Sequence, residues 1–125
     1  MKETKIHKVF PTKKKSFYFQ LHIHPSQKSL RAYWDILNKD YIPHSSRTVK
    51  AFFLSYEISC GKCIGEIHLT KSLPPDIIAH ECLHALIHWG KLKNLNIYHA
   101  EEQFCWVYQI ILKSVLKFLG RADNF

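Results

Sequence analysis

The periodicity of the chain predicts an α+β fold, in which a small antiparallel or mixed sheet packs on two C-terminal helices. Three observations predict it. Residues 17–24 and 65–70 alternate apolar and polar side chains with the period of a strand, and 49–59 is rich in aromatic and β-branched residues. Apolar residues between 75 and 90, and again between about 100 and 119, recur at helical spacing. The 125 residues are 46% hydrophobic and 14% aromatic, enough for a single packed domain over 1–125 and too few for a second module.

Taken in order, the elements read β-α-β-β-α-α. The basic segment 1–15, with Lys13, Lys14 and Lys15, is expected to be a flexible lead-in. In 17–24, Phe17, Phe19, Leu21 and Ile23 point to one side and Tyr18, Gln20, His22 and His24 to the other, which predicts a strand with one buried face. Pro25 ends it. Ser26 is an N-cap, and Leu30, Tyr33, Trp34 and Leu37 mark a helix of about three turns. Residues 38–48 read as an irregular connection. Between the strands 49–59 and 65–70, Cys60-Gly61-Lys62-Cys63 is expected to form a hairpin turn. Pro74 and Pro75 suit a first helical turn capped by Ser72 or Asp76, and Gly90 is placed to end that helix.

Composition narrows the functional classes. A formal charge of +8 favours an acidic partner; nucleic acid ranks below solvated surface because arginine is scarce and the lysines are dispersed, and neither helix-turn-helix nor stacked-aromatic patterning marks a nucleic-acid binder. The longest apolar run is broken by Lys113, Ser114 and Lys117, so no membrane span is expected. No secretory signal opens the chain, and the cysteines at 60, 63, 82 and 105 do not form a secreted disulfide framework. A cytoplasmic protein with reduced thiols follows. Cys60 and Cys63 would be half of a zinc knuckle that lacks its second pair.

The chemistry concentrates in His80-Glu81-Cys82-Leu83-His84, an H-E-x-x-H run within a helical stretch. Residues four apart share one helix face, so two imidazoles can reach one metal ion, and Glu81 can act on a water activated by it. Catalytic zinc sites use three protein ligands. A histidine six residues after His84 would complete the metzincin arrangement, but that position is Gly90. His88 would lie about 12 Å along the axis from His80, too far to join it. The gluzincin arrangement remains, with a glutamate of the next helix as third ligand. The apolar stripe of that helix favours Glu101, whereas the small Cys105 three residues after Glu102 favours Glu102.

The run HECLHALIH followed by Glu102-Gln103-Phe104-Cys105 resembles the ImmA/IrrE-like zinc peptidases and the short zincin-like proteins of phages and prophages. GEIHLTKSLPPDIIAHE is similar to their edge strand leading into the active-site helix, so the resemblance spans about 65–119. It implies a minimal zincin-like fold, one Zn2+ held by His80, His84 and Glu102, and Glu81 as general base. Leu83 departs from it, standing where such sequences often carry glycine.

The expected function is therefore a gluzincin-type zinc metallopeptidase acting on a loop or unfolded segment of a peptide or protein. Gly65, Glu66, Ile67 and His68 would pair with the substrate as an edge strand. Tyr98, His99 and Tyr108 are the candidate oxyanion donors. The alternative is a catalytically inactive zincin-fold protein that keeps zinc structurally and binds an acidic protein or nucleic acid.

Overall fold

The alternation at 17–24 and 65–70 builds the two central strands of a four-stranded sheet, β2 (Tyr18–His24) and β4 (Cys63–Thr70). In the computed structural model, which describes residues 3–38 and 49–121, these strands run parallel with Leu21 opposite Ile67 and His22 opposite His68. Two antiparallel partners flank them: β1 (Lys5–Val9) beside β2, and β3 (Phe52–Ser55) beside β4. The sheet order is β1-β2-β4-β3, so the fold is α+β with a mixed sheet, as expected.

The chain carries one strand more than the sequence predicts, because Lys5–Val9 lies within the expected lead-in. Its side chains do not announce it. Lys5, Ile6 and Lys8 are exposed and only Val9 is buried, since an edge strand is held largely by its backbone pairing. The strand expected over 49–59 is confined to Phe52–Ser55. A 3-10 turn at Ile58–Cys60 and Gly61 at φ 121° then lead into β4, in place of a tight hairpin at the two cysteines. The connection expected over 38–48 falls, from 39 on, outside the described residues.

Helices cover both faces of the sheet. α1 (Gln27–Leu37) begins at Ser26, whose Oγ accepts a hydrogen bond from the Ser29 backbone N–H at 3.1 Å. Tyr33 and Trp34 carry it against His68 and Phe52, so α1 covers the face bearing the even-numbered side chains of β2. That corrects the expectation of one buried face: His22 and His24 are buried, as suits central parallel strands covered on both sides.

The opposite face holds α2 (Pro75–Leu92) and α3 (Glu101–Phe118). Ile78, Cys82, Ala85 and Trp89 of α2 and Phe104, Val107, Ile111 and Val115 of α3 share one core with Phe19, Leu21, Ile67 and Leu69. Pro75 occupies the first turn of α2, but Pro74 holds the cap position without any side-chain hydrogen bond, so neither Ser72 nor Asp76 caps it. Gly90 does not end α2 either. A Cβ there would stand 2.5 Å from the Phe104 ring, so the glycine marks the close approach of α2 and α3. The left-handed residue past the helix is Asn94, at φ 54°. Among the described residues, no helix is long and apolar enough to cross a membrane.

Candidate metal centre

The spacing of the H-E-x-x-H run does on α2 what helical geometry requires. His80 and His84 are exposed one turn apart, with their Nε2 atoms 3.1 Å from each other and their rings at 81°. Between them Glu81 turns inward. Its carboxylate lies with both imidazoles in a group whose donor atoms fall within 4.8 Å of one another. Glu81 Oε2 is buried with no hydrogen-bond partner, and burial pushes the carboxyl pKa up against the opposing pull of His80. Burial, aided by His80, holds the His84 imidazole below its ordinary value. Two imidazoles and an unpartnered carboxylate oxygen are the donor types that a borderline divalent ion takes.

A cleft of about 460 Å³ opens at this point. His80, Glu81, Asp76 and Ile77 line it from α2, Trp34 from α1, and 49–52 from the approach to β3. Phe53 of β3 stacks near His84, with ring centroids 6.4 Å apart. His88 is not a ligand, since its Nε2 lies 2.7 Å from the Tyr56 carbonyl, which ties α2 to the end of β3.

The other expected site residues lie elsewhere. Glu101 and Glu102 are exposed, and neither joins any metal-competent group among the described residues. The reason is the helix hairpin: an antiparallel α3 sets its first turn beside the last turn of α2, where Phe104 meets Trp89 and Gly90. The motif lies roughly two turns back along α2, about 10 Å by helical rise. The same geometry removes Tyr98 and His99, which are exposed in the connection beyond α2. Tyr108 donates its hydroxyl to the Ala79 carbonyl at 3.2 Å, so that donor is already engaged. Gly65, Glu66, Ile67 and His68 are not an edge: β4 is paired on both sides, and among the described residues the outer strand beside the motif is β3.

The structure also assembles a group that sequence reading passed over. His22, Glu66 and His68, from the two central strands, form a second cluster that could hold a metal ion, and all three are buried. His68 Nε2 lies 2.8 Å and His22 Nε2 3.3 Å from the same Glu66 oxygen, Oε1. Tyr56 donates its hydroxyl to the other oxygen, and His24 Nε2 stands 2.8 Å from His68 Nδ1. Burial lowers the His24 and His68 imidazoles to about 4 and also lowers that of His22, so the rings are neutral near pH 7. For Glu66 burial acts upward, but the hydrogen bonds from Tyr56 and His68 outweigh it and hold the carboxyl below its usual range. The signal in the sequence was the even-numbered face of each alternating strand, where His22 and His24 stand beside Glu66 and His68.

Searches of family models, of curated proteins and of solved structures return no match to this chain.

Proposed function

We propose that the protein is a zinc-dependent peptidase of minimal zincin-like architecture, with His80 and His84 as two of the ion's ligands and Glu81 acting as general base. One observation carries this reading: two imidazole nitrogens 3.1 Å apart beside a buried, unpartnered Glu81 oxygen, at the wall of an open cleft. The ion, when bound, supplies Lewis acidity towards a water and a carbonyl. Glu81 takes the proton of the attacking water as its oxygen bonds to the carbonyl carbon, and returns a proton to the amine as the C–N bond breaks. Burial raises the Glu81 carboxyl pKa, which makes it a better base for that transfer.

The edge of β3, outermost among the described residues, suits an extended peptide, which would pair with the backbone beside the motif. Lys50 is the one cation among the described lining residues, and its ammonium is the donor available for charge developing on the carbonyl oxygen. The resemblance of the α2 sequence to ImmA/IrrE-like peptidases supports the same reading.

A second reading rests on Glu81 being the one carboxylate of the described residues grouped with both rings. If Glu81 is itself the third ligand, the site is structural, and the basic chain binds an acidic partner without hydrolysis. The two readings part on activity. Incubation of an unfolded protein substrate with the zinc-loaded chain should give fragments that disappear on chelation, return with added Zn2+, and are absent for His84→Ala. Hydrolysis no greater than that of His84→Ala would overturn the peptidase reading.

A further inference from the structure

The cluster between β2, β4 and α1 lies on the opposite face of the sheet from α2, and its donors converge without help from the H-E-x-x-H residues. Tetrahedral zinc with bonds of about 2.0–2.1 Å holds its ligand atoms roughly 3.3–3.4 Å apart. His22 Nε2 and His68 Nε2 stand 3.3 and 2.8 Å from Glu66 Oε1, so these two separations need to change by only tenths of an ångström, and all three donors lie within 4.8 Å of one another. Gln20 Oε1, 3.0 Å from His22 Nε2, is a further oxygen within reach. We propose that His22 Nε2, His68 Nε2 and Glu66 Oε1 form a second metal centre, for a divalent ion of the Zn2+ class, closed to substrate and structural in role.

Charge supports the assignment. Glu66 is 8% exposed, and its ionic partners among the described residues are imidazoles, with no lysine or arginine against it. A buried carboxylate with no lysine or arginine beside it lacks a fixed counter-charge, which a bound cation would supply. The surroundings are closed: His68 is fully buried, stacked on Phe52 at 4.2 Å and on His22 at 4.2 Å, with Tyr33 of α1 at 4.8 Å. That setting suits a centre that ties the two central strands together beneath α1, and contrasts with the open cleft at His80 and His84.

Hydrogen bonding around the cluster fits both the metal-free and the metal-bound state. An ionised Glu66 can only accept, so in the metal-free chain His68 carries its proton on Nε2 and donates it to Oε1. His68 Nδ1 is then an acceptor for His24 Nε2–H at 2.8 Å, and His24 Nδ1 accepts from the Thr4 hydroxyl at 3.3 Å. Metal binding requires His68 Nε2 bare. Its proton moves to Nδ1 and is donated to His24 Nε2, whose own proton moves to Nδ1 and is donated to Thr4 Oγ1. His22 shifts its proton to Nδ1 in the same way. No proton leaves these residues, and His24 becomes the outer partner that orients His68.

The test uses the full chain carrying His80→Ala and His84→Ala, so that the α2 site cannot contribute. Titration with Co2+, followed by its d–d absorption, and with Zn2+ against a competing chelator should show one equivalent bound. Adding His22→Asn should weaken binding by about 100-fold or more, since loss of even an outer-shell partner lowers affinity roughly 10–100-fold. Side-chain 15N NMR of the His80→Ala/His84→Ala chain needs no substitution in the centre. On adding Zn2+, His68 and His24 should pass from the Nε2–H to the Nδ1–H tautomer. No stoichiometric metal bound by that chain, or unchanged tautomers at saturation, would overturn the proposal.

Discussion

The histidines of α2 and those of the central strands use the same donor types in opposite settings. His80 and His84 are exposed on a helix beside a cleft, and the group they form with Glu81 includes a carboxylate oxygen without a partner. His22, His24 and His68 are buried in the sheet, and both ring nitrogens of His24 and His68, with Nε2 of His22, have a polar neighbour within 3.3 Å. The difference teaches what each group is free to do. An incomplete, solvent-facing set has room for water and substrate, whereas a saturated, enclosed one is part of the framework.

That contrast breaks most visibly under truncation. In metal-free protein, His68→Ala leaves a cavity and strips His24 Nε2 and Glu66 Oε1 of a partner, for an expected loss of about 3 kcal/mol. His84→Ala removes an exposed ring and should stay within about 0.5 kcal/mol. Urea unfolding of both variants measures this, and equal losses would erase the distinction between the two regions.

A smaller effect tests how α3 is set against α2. Gly90→Ala drives a methyl into the Phe104 ring, which is held by Trp89. Overpacking of about 1–3 kcal/mol, offset by about 1 kcal/mol of helix propensity, leaves a net loss of about 1 kcal/mol. Thermal unfolding would read it, and a gain in stability would mean that the helices do not approach at Gly90. The smallest expected effect belongs to Glu101→Ala and Glu102→Ala. Both side chains are exposed beside the far end of α2, so stability should change by less than about 0.5 kcal/mol and bound zinc should not change. Zinc lost from either variant would place α3 differently along α2.

Much of this was legible where local physics decides. The alternation of 17–24 and 65–70, the Ser26 cap, the Pro75 start of α2 and the i, i+4 pairing of His80 with His84 all follow from period and capping, and all appear in the structure. What escaped depends on contacts distant in sequence. Whether β4 is an edge is settled by β3 pairing on its far side, and the reach of Glu102 is settled by where Phe104 meets Gly90. The buried histidines look like a solvent face until α1 is laid over them, because alternation tells which residues share a face but not what covers it.

If Glu81 acts on water and is not a ligand, Glu81→Gln separates the two roles when bound zinc and hydrolysis of an unfolded protein are measured on the same sample. To isolate the α2 site, the variant is made in a chain also carrying His22→Asn. The expected result is zinc retained at the level of the His22→Asn parent, with hydrolysis lowered on the order of 10²–10⁴-fold. Zinc lost with the substitution, or hydrolysis unchanged by it, would contradict the account.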